Sequence, residues 1–224
     1  MGEKLRILLA DASLELAPRE VWGHPQVRRT AERHGISPSE VVLDKSLHYD
    51  AMSRLPYKWK RGRPDILHIT LLNILDSPLA EDGRLEILVH TVEGRIFRVD
   101  PATRIPKHYD RFKGLMAQLL REGRVPPRGR PLIAEEEGPL SRLVRDAIIL
   151  DESGEPSTPR SLALEGLRGA WLVIGVYPQG GFSPAVRRLS KRRARIYGGR
   201  PLKAWTVASR ILCHAEEIMG YAGP

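Results

Sequence analysis

The chain has 224 residues, 42% of them hydrophobic, and a formal net charge of +9 from 36 Lys and Arg against 27 Asp and Glu. The single cysteine excludes an intramolecular disulfide, and no window approaches the roughly 18 uncharged apolar residues needed to span a bilayer. The N-terminal stretch turns acidic where a secretory signal would be cleaved, so we expect a cytoplasmic protein with no membrane partner. The positive surplus favours nucleic acid as partner, and thermal adaptation of the surface is the alternative.

The first third of the chain predicts a buried strand followed by short helices. LRILLADAS (5–13) is an apolar run ended by an acid, typical of a buried strand, and PQVRRTAERHG predicts a helix that Gly35 ends. SPSE (37–40) is a capping box with proline at the first helical position and predicts another short helix. DILHITLLNIL (65–75) predicts a buried helix.

The middle of the chain predicts a hairpin, a helix and a connection. LEILVHTV (85–92) and RIFRVDP (95–101) are β-rich runs joined by Glu93-Gly94, which indicates a hairpin. YDRFKGLMAQLLREG carries an apolar stripe on one helical face and predicts a helix packed on the core. Between 121 and 139, proline, glycine and like charges predict a surface connection that leads to a new layer.

The last third alternates strands and helices. AIIL (147–150) and AWLVIGVY (170–177) predict strands, and the helix between them has Thr158 as its cap and Pro159 at its first position. A glycine loop, a basic run and the short strand ARIYG lead to a closing helix at 202–219. This alternation predicts an α/β fold with a largely parallel sheet.

A basic loop precedes the 65–75 helix. KWKRGRPDILH (58–68) groups four cations around Gly62 and Pro64 and then places Asp65 near the helix start. Gly62 permits close backbone approach. Asp65 can cap the helix, or it can hold Arg63 in a fixed fork toward a phosphate or a base edge. Both interpretations of Asp65 stay open at this point.

A second basic stretch is VDPATRIPKHYDRFKGLM (99–116). Arg104, Lys107 and Arg111 lie three and four residues apart, so a helical or turn-like segment would project them to one side. His108 and Tyr109 lie among them as candidate groups for stacking on unpaired bases. The alternative is an ordinary solvated face.

Two late loops carry glycines after or within β-type runs: VIGVYPQGGF (173–182) and IYGGRPLKAWTV (196–207). The dinucleotide fingerprint GxGxxG after the first strand is missing. The two loops could together wrap a nucleoside-type cofactor with backbone groups, or the glycines could simply make turns. The chain also lacks HExxH, and we expect no metal site.

Seven motifs in order resemble one family closely. They are LDKSLHY (43–49), KRGRPDI (60–66), SPL (77–79), P-x-TRIP (101–106), Y-x-RF-x-GLM-x-QLL (109–120), IG-x-x-x-x-GGF (174–182) and PL-x-AWTV (201–207). The family is that of the small-subunit rRNA pseudouridine N1-specific methyltransferases, known as the nucleolar essential protein family, in its archaeal form. The matches run from about residue 40 to the C-terminus.

The resemblance implies one SPOUT-class methyltransferase domain over 1–224. Its RNA-binding elements would lie mainly in 40–120, and the part from about 145 to 224 would form a deep trefoil knot that binds S-adenosylmethionine. Knots are otherwise essentially absent from proteins, so periodicity alone cannot predict one. The resemblance further implies a homodimer that acts on a small-subunit rRNA hairpin during ribosome biogenesis, alongside other assembly factors or ribosomal proteins.

The resemblance also assigns residues by position. Arg63 and Asp65 would be the catalytic pair, with Asp65 orienting Arg63 or accepting a proton, and we favour the orienting role. The rRNA contacts would be Arg63, Arg104, Lys107 and Arg111. The family favours arginine at position 107, and a lysine keeps the charge but loses the bidentate fork. The cofactor would lie against Gly175, Gly180, Ile196, Tyr197, Gly198, Gly199, Arg200, Pro201 and Leu202.

Two rival functions remain. A non-catalytic assembly factor that binds an rRNA hairpin would carry the same charge and arginines, although the intact glycine loops favour the enzyme. A nicotinamide-dependent oxidoreductase is disfavoured by the absent fingerprint.

Overall fold

The computed structural model describes residues 3–221 and arranges eight strands in one mixed sheet. The strands are β1 (Leu5–Ala12), β2 (Leu85–Thr91), β3 (Ile96–Val99), β4 (Arg124–Val125), β5 (Ile133–Glu135), β6 (Ala147–Pro156), β7 (Trp171–Gly175) and β8 (Arg193–Arg195). Their spatial order is β4-β5-β3-β2-β1-β7-β6-β8.

The sheet divides into a parallel and an antiparallel part. Strands β2, β1, β7, β6 and β8 pair in parallel, and β3, β5 and β4 continue the sheet in antiparallel pairs. This arrangement confirms the predicted α/β fold with a largely parallel sheet, and the β2–β3 pairing confirms the predicted hairpin.

Several helices begin or end at local sequence signals. The helices are α1 (Pro25–His34), α2 (Lys45–Met52), α3 (Pro64–Leu75), α4 (Pro78–Glu81), α5 (Tyr109–Glu122), α6 (Leu140–Leu143), α7 (Pro159–Leu167), α8 (Pro184–Arg187) and α9 (Ala204–Ile218). Gly35 ends α1 with a φ of 63°, a left-handed conformation that favours glycine. The Ser37–Glu40 capping box opens a single 3-10 turn, and Thr158 caps α7.

Helices cover both faces of the sheet. Ile7 and Leu9 of β1 face a large cluster formed with α3, α5, α7 and α9, whereas Leu8 and Ala10 face a smaller one that includes residues of α6 and α8. Because side chains alternate along a strand, a strand covered on both sides carries apolar residues on both faces, as β1 does between Ile7 and Ala10.

The prediction for 121–139 is wrong in part, because this segment contains β4 and β5 at the antiparallel edge of the sheet. Both strands are two or three residues long and too short to show a period. Strand β6 also continues past the predicted 147–150 to Pro156, through an irregularity between Leu150 and Glu155. The closing helix begins at Ala204, two residues later than expected.

Within residues 3–221, no helix is long and apolar enough to cross a membrane. The trefoil knot and the single domain over 1–224 stay predictions.

Candidate active site

A cleft of about 620 Å³ lies where the parallel strands β6, β7 and β8 meet the loops that follow them. Its walls come from residues 150–152 of β6, the 174–182 segment at the end of β7, and two segments around and after β8, 194–196 and 199–205. Ligands of parallel α/β sheets bind at the carboxyl edge of the strands, which makes this cleft the candidate binding site.

Most of the predicted cofactor residues line this cleft. Tyr197 and Gly198 are the exceptions, and they lie in the adjoining 3-10 turn Tyr197–Gly199, where Tyr197 is half exposed. The predicted residues that line the cleft are Gly175, Gly180, Ile196, Gly199, Arg200, Pro201 and Leu202. The structure therefore brings together two loops that are about 20 residues apart in the sequence.

The glycines of these loops make close contacts that a side chain would prevent. A Cβ on Gly175 would lie 2.8 Å from the ring of Tyr177, and one on Gly199 would lie 2.9 Å from the backbone oxygen of Glu152. Gly199 also has a φ of 75°, which favours glycine. Glycine is thus needed at these two positions for the loops to pack around the cleft. This is a packing role, in addition to the turn-making role that the sequence alone left as the alternative.

Two carboxylates of the cleft wall were not predicted from the sequence. Asp151 and Glu152 line the cleft at the irregular part of β6. Burial acts to raise the pKa of Asp151, but hydrogen bonds from Ser153 and the charge of Arg193 together outweigh burial and hold the pKa below its usual value. The signal that could have found these residues is the pair of acids that interrupts the apolar run AIIL.

The basic loop at 58–65 is built from ion pairs with distant carboxylates. Arg61 donates through Nε to both carboxylate oxygens of Glu15 at 3.0 Å, and Glu15 is fully buried. Lys60 donates to Asp11 at 2.7 Å. These two cations are therefore committed to the interior of the protein.

Arg63 and Asp65 form a bidentate pair beside the cleft. Arg63 donates through Nε to Oδ1 of Asp65 at 2.8 Å and through Nη2 to Oδ2 at 2.7 Å. Arg63 takes the N-cap position of α3, and it lines the cleft together with Ile66. The hydrogen bond to Asp65 raises the pKa of Arg63. Asp65 could have capped α3 or held Arg63, and in the structure it holds Arg63.

The other predicted RNA contacts lie in the loop before α5 and in the first turn of that helix. Arg104 and Lys107 belong to the loop that precedes α5, and Arg111 lies in the first turn of α5, so the three do not share one helix. All three side chains are exposed. The ring of His68 on α3 bonds the carbonyl oxygen of Pro106 at 2.8 Å and fixes this loop against the helix that Arg63 begins.

Tyr109 occupies an anchoring position that was not predicted. Its hydroxyl donates to Oδ2 of Asp44 at 3.0 Å, and the ammonium of Lys113 lies 4.6 Å from the centroid of its ring. Burial raises the pKa of Tyr109 above its usual value. The hydrogen bond between Tyr109 and Asp44 connects two of the seven motifs, those at 109–120 and 43–49. This contact favours an anchoring role for Tyr109 over the predicted stacking role.

Comparison with a solved structure establishes the class of protein. The crystal structure of Archaeoglobus fulgidus Nep1 bound to S-adenosylhomocysteine superposes with a TM-score of 0.87 at 37% sequence identity, covering 98% of this chain and 100% of that chain. The fold is accordingly that of an α/β methyltransferase.

A family model described as EMG1/NEP1 methyltransferase matches residues 7–216, and the chain belongs to this family. Ribosomal RNA small subunit methyltransferase Nep1 of Aeropyrum pernix is 45% identical over 219 residues, which are 96% of this chain and 98% of that protein. The Staphylothermus marinus protein of the same name is 43% identical over 225 residues, 97% of each chain. These findings confirm the family indicated by the seven motifs and extend the match to the N-terminal strand.

Proposed function

We propose that the protein transfers a methyl group from S-adenosylmethionine to N1 of a pseudouridine in small-subunit ribosomal RNA. We further propose that it acts as a cytoplasmic homodimer and contributes to small-subunit biogenesis. The observation that carries the proposal is the position of Arg63, which lines the glycine-walled cleft while Asp65 holds it in one orientation.

The residues around the cleft fit such a cofactor. A volume of about 620 Å³ is within the range of pockets that hold small molecules. S-adenosylmethionine supplies an electrophilic methyl group when bound, and it carries a positive sulfonium and ammonium that Asp151 and Glu152 can offset. The backbone at Gly175, Gly180 and Gly199 can approach a flat nucleoside because no side chain intervenes.

The basic residues fit an RNA substrate. A net charge of +9 supplies attraction to phosphates that is independent of sequence. Arg104, Lys107 and Arg111 are exposed and suited to phosphate contacts, which set the register of the RNA. Arg63, which is held in place at the cleft, is suited to contact the target base.

The chemistry of pseudouridine matches this arrangement. Its base carries a free N1–H, and loss of that proton to water would leave negative charge on the base and a nucleophilic nitrogen. That nitrogen would take the methyl group, with S-adenosylhomocysteine as the leaving group. Arg63 would stabilise the negative charge on the base as it develops, and a guanidinium fixed in advance needs no reorganisation. Because both carboxylate oxygens of Asp65 accept from Arg63, we assign Asp65 to orienting the guanidinium and not to accepting the proton.

The test is methyl transfer from labelled S-adenosylmethionine to a small-subunit rRNA hairpin that carries pseudouridine, beside the same hairpin with uridine, with the product nucleoside identified. In uridine N1 forms the glycosidic bond and has no proton to lose, so we expect 1-methylpseudouridine from the first hairpin and no product from the second. Tight binding of the hairpin without transfer would favour the assembly-factor alternative. A solution mass near twice 25.2 kDa would support the dimer.

A further inference from the structure

The side chain of Lys60 connects the basic loop to the wall of the cleft. Its ammonium group donates to Oδ2 of Asp11 at 2.7 Å and to the backbone carbonyl of Gly181 at 2.6 Å. It also lies 4.3 Å from the centroid of the Tyr177 ring, within the range of a cation–π contact. Gly181 and Tyr177 both line the cleft, so one cation of the basic loop contacts two residues of the cleft wall.

Asp11 fixes the position of this cation. Its carboxylate is 1% exposed and accepts from the backbone N–H of Ser183 at 2.6 Å and from the Ser183 hydroxyl at 2.7 Å. Burial acts to raise the pKa of Asp11, but hydrogen bonds from His90, Lys60 and Ser183 outweigh it and lower the pKa to about 2. A buried carboxylate needs a compensating charge, and Lys60 supplies it.

Ser13 bonds the backbone at both ends of the stretch from Lys60 to Arg63. The hydroxyl of Ser13 donates to the carbonyl of Lys60 at 2.5 Å, and the backbone N–H of Arg63 donates to the carbonyl of Ser13 at 3.1 Å. Trp59 packs on the cleft wall as well, since a Cβ on Gly180 would lie 2.8 Å from its indole nitrogen. A chain of contacts therefore runs from the 180–181 backbone through Lys60 and Ser13 to Arg63.

We propose that Lys60 is a positioning residue that couples the cofactor cleft to the substrate RNA. The inference rests on the proposed function. A cofactor seated against Gly180 and Gly181 fixes the carbonyl that Lys60 contacts, and Lys60 in turn fixes the loop that carries Arg63. Because coupling between two sites is reciprocal, each ligand raises the affinity for the other by the same factor.

The experiment measures the coupling factor, which is the factor by which one ligand raises the affinity for the other. The pseudouridine hairpin is titrated onto the full chain with and without saturating S-adenosylhomocysteine, and S-adenosylhomocysteine is titrated with and without hairpin. In the unchanged protein we expect each ligand to tighten the other about tenfold. In Lys60→Met, which keeps a chain of similar length and loses the charge, we expect the factor to fall to about one, because the link between the loops is lost.

Lys58→Met is the matched control. Lys58 lies two residues away, is exposed, and donates to the carbonyl of Ser53 at 3.1 Å, away from the cleft wall. We expect this variant to bind the hairpin more weakly at low salt and to retain the coupling factor, since it removes a cation without removing the link.

The folded state of each variant is checked by circular dichroism. If Lys60→Met does not fold, Lys60→Gln, which keeps one donor, is expected to show an intermediate factor. If Lys60 only stabilises the fold, its substitution would change the affinity for each ligand but not the factor by which one ligand tightens the other. An unchanged coupling factor in a folded Lys60 variant therefore overturns the inference. A factor of one in the unchanged protein that still methylates the hairpin also overturns it. Failure to bind or methylate the hairpin at all instead defeats the proposed function, and the inference with it.

Discussion

The basic loop at 58–65 and the basic segment at 104–111 carry similar charge in opposite environments. In the loop, three cations each form an ion pair with a carboxylate, and these pairs are Lys60 with Asp11, Arg61 with Glu15, and Arg63 with Asp65. In the segment, the three cations are exposed, and Lys107 comes only within 3.8 Å of Asp76 in an exposed pair.

This difference separates two kinds of contact that a charge count cannot distinguish. A cation held by a carboxylate has a fixed direction and can address one atom of a base. An exposed cation samples many positions and attracts phosphates wherever they lie, an effect that salt screens. We therefore expect orientation to matter at Arg63 and charge to matter at Arg104, Lys107 and Arg111.

The largest effect is expected from Arg63→Ala. Loss of a charge-assisted contact worth about 1.5 to 3 kcal/mol should weaken hairpin binding by about 10- to 150-fold. Affinity for S-adenosylhomocysteine, measured without RNA by calorimetry, should stay nearly unchanged. Asp65→Asn is the control for orientation, because it keeps the side-chain shape and releases the guanidinium, and a smaller loss is expected. Equal loss of both affinities in Arg63→Ala would contradict the division of roles.

A loss of cofactor affinity is expected from Gly180→Val. Gly180 has a φ of 99°, and a side chain there would meet the indole of Trp59. We expect S-adenosylhomocysteine binding to weaken by at least about tenfold, or about 1.4 kcal/mol, with hairpin binding less affected. Gly181→Ala is the control. Gly181 has a φ of 67°, which strains alanine, but no atom lies within 4 Å of an added Cβ, so this variant reports backbone strain without a steric clash. Unchanged cofactor binding in Gly180→Val would place the cofactor elsewhere.

A smaller effect is expected from removing the exposed cations one at a time. Each of Arg104→Ala, Lys107→Ala and Arg111→Ala should weaken hairpin binding a few-fold and reduce the slope of log affinity against log salt by about 0.7 to 0.9. The measurement is a salt titration of binding, with Lys4→Ala, remote in sequence from both basic stretches, as control. A slope that stays constant in all three variants would show that this segment does not contact phosphates.

The last prediction concerns His48, a buried side chain that is uncharged at neutral pH. A change there is expected to alter the pH dependence of stability and to have the smallest effect on ligand binding. His48 is fully buried, accepts from the backbone N–H of Asp44 and bonds Thr30, and burial lowers its pKa to about 4 from an ordinary 6.5. The unfolded chain takes up the proton first, so about 3 kcal/mol of stability should be lost as pH falls from 6.5 to 4. Denaturant titrations across this range should show a weaker pH dependence in His48→Asn, whose amide oxygen can replace the acceptor.

Features with local chemistry could be predicted from the sequence. Gly35, the Ser37–Glu40 capping box and the Thr158 cap lie where their residue types indicate, because caps depend on a few adjacent residues. The two glycine loops were found for the same reason, and the family resemblance placed them together at one site.

Contacts between distant residues left no such signal. Lys60 and Asp11 are 49 residues apart, and Arg61 and Glu15 are 46 apart, so the sequence showed a basic run and gave no indication of its partners. The short strands β4 and β5 owe their form to pairing with β3 and with each other. Asp151 and Glu152 follow the apolar run AIIL in the sequence, but their place in the cleft depends on the irregular pairing of β6 with β8.

Apart from Arg63 and Ile66, which belong to the first third of the chain, the residues that line the cleft lie between positions 150 and 207. During synthesis, the arginine therefore emerges well before any wall of the cleft exists. The last wall segment is contiguous with α9, which packs against both α3 and α7. A cofactor bound in this cleft would stabilise only a nearly finished chain, since a ligand adds stability solely to the state that binds it. A chain that ends before residue 150 would consequently lack the cleft walls and also the α9 face on which α3 packs.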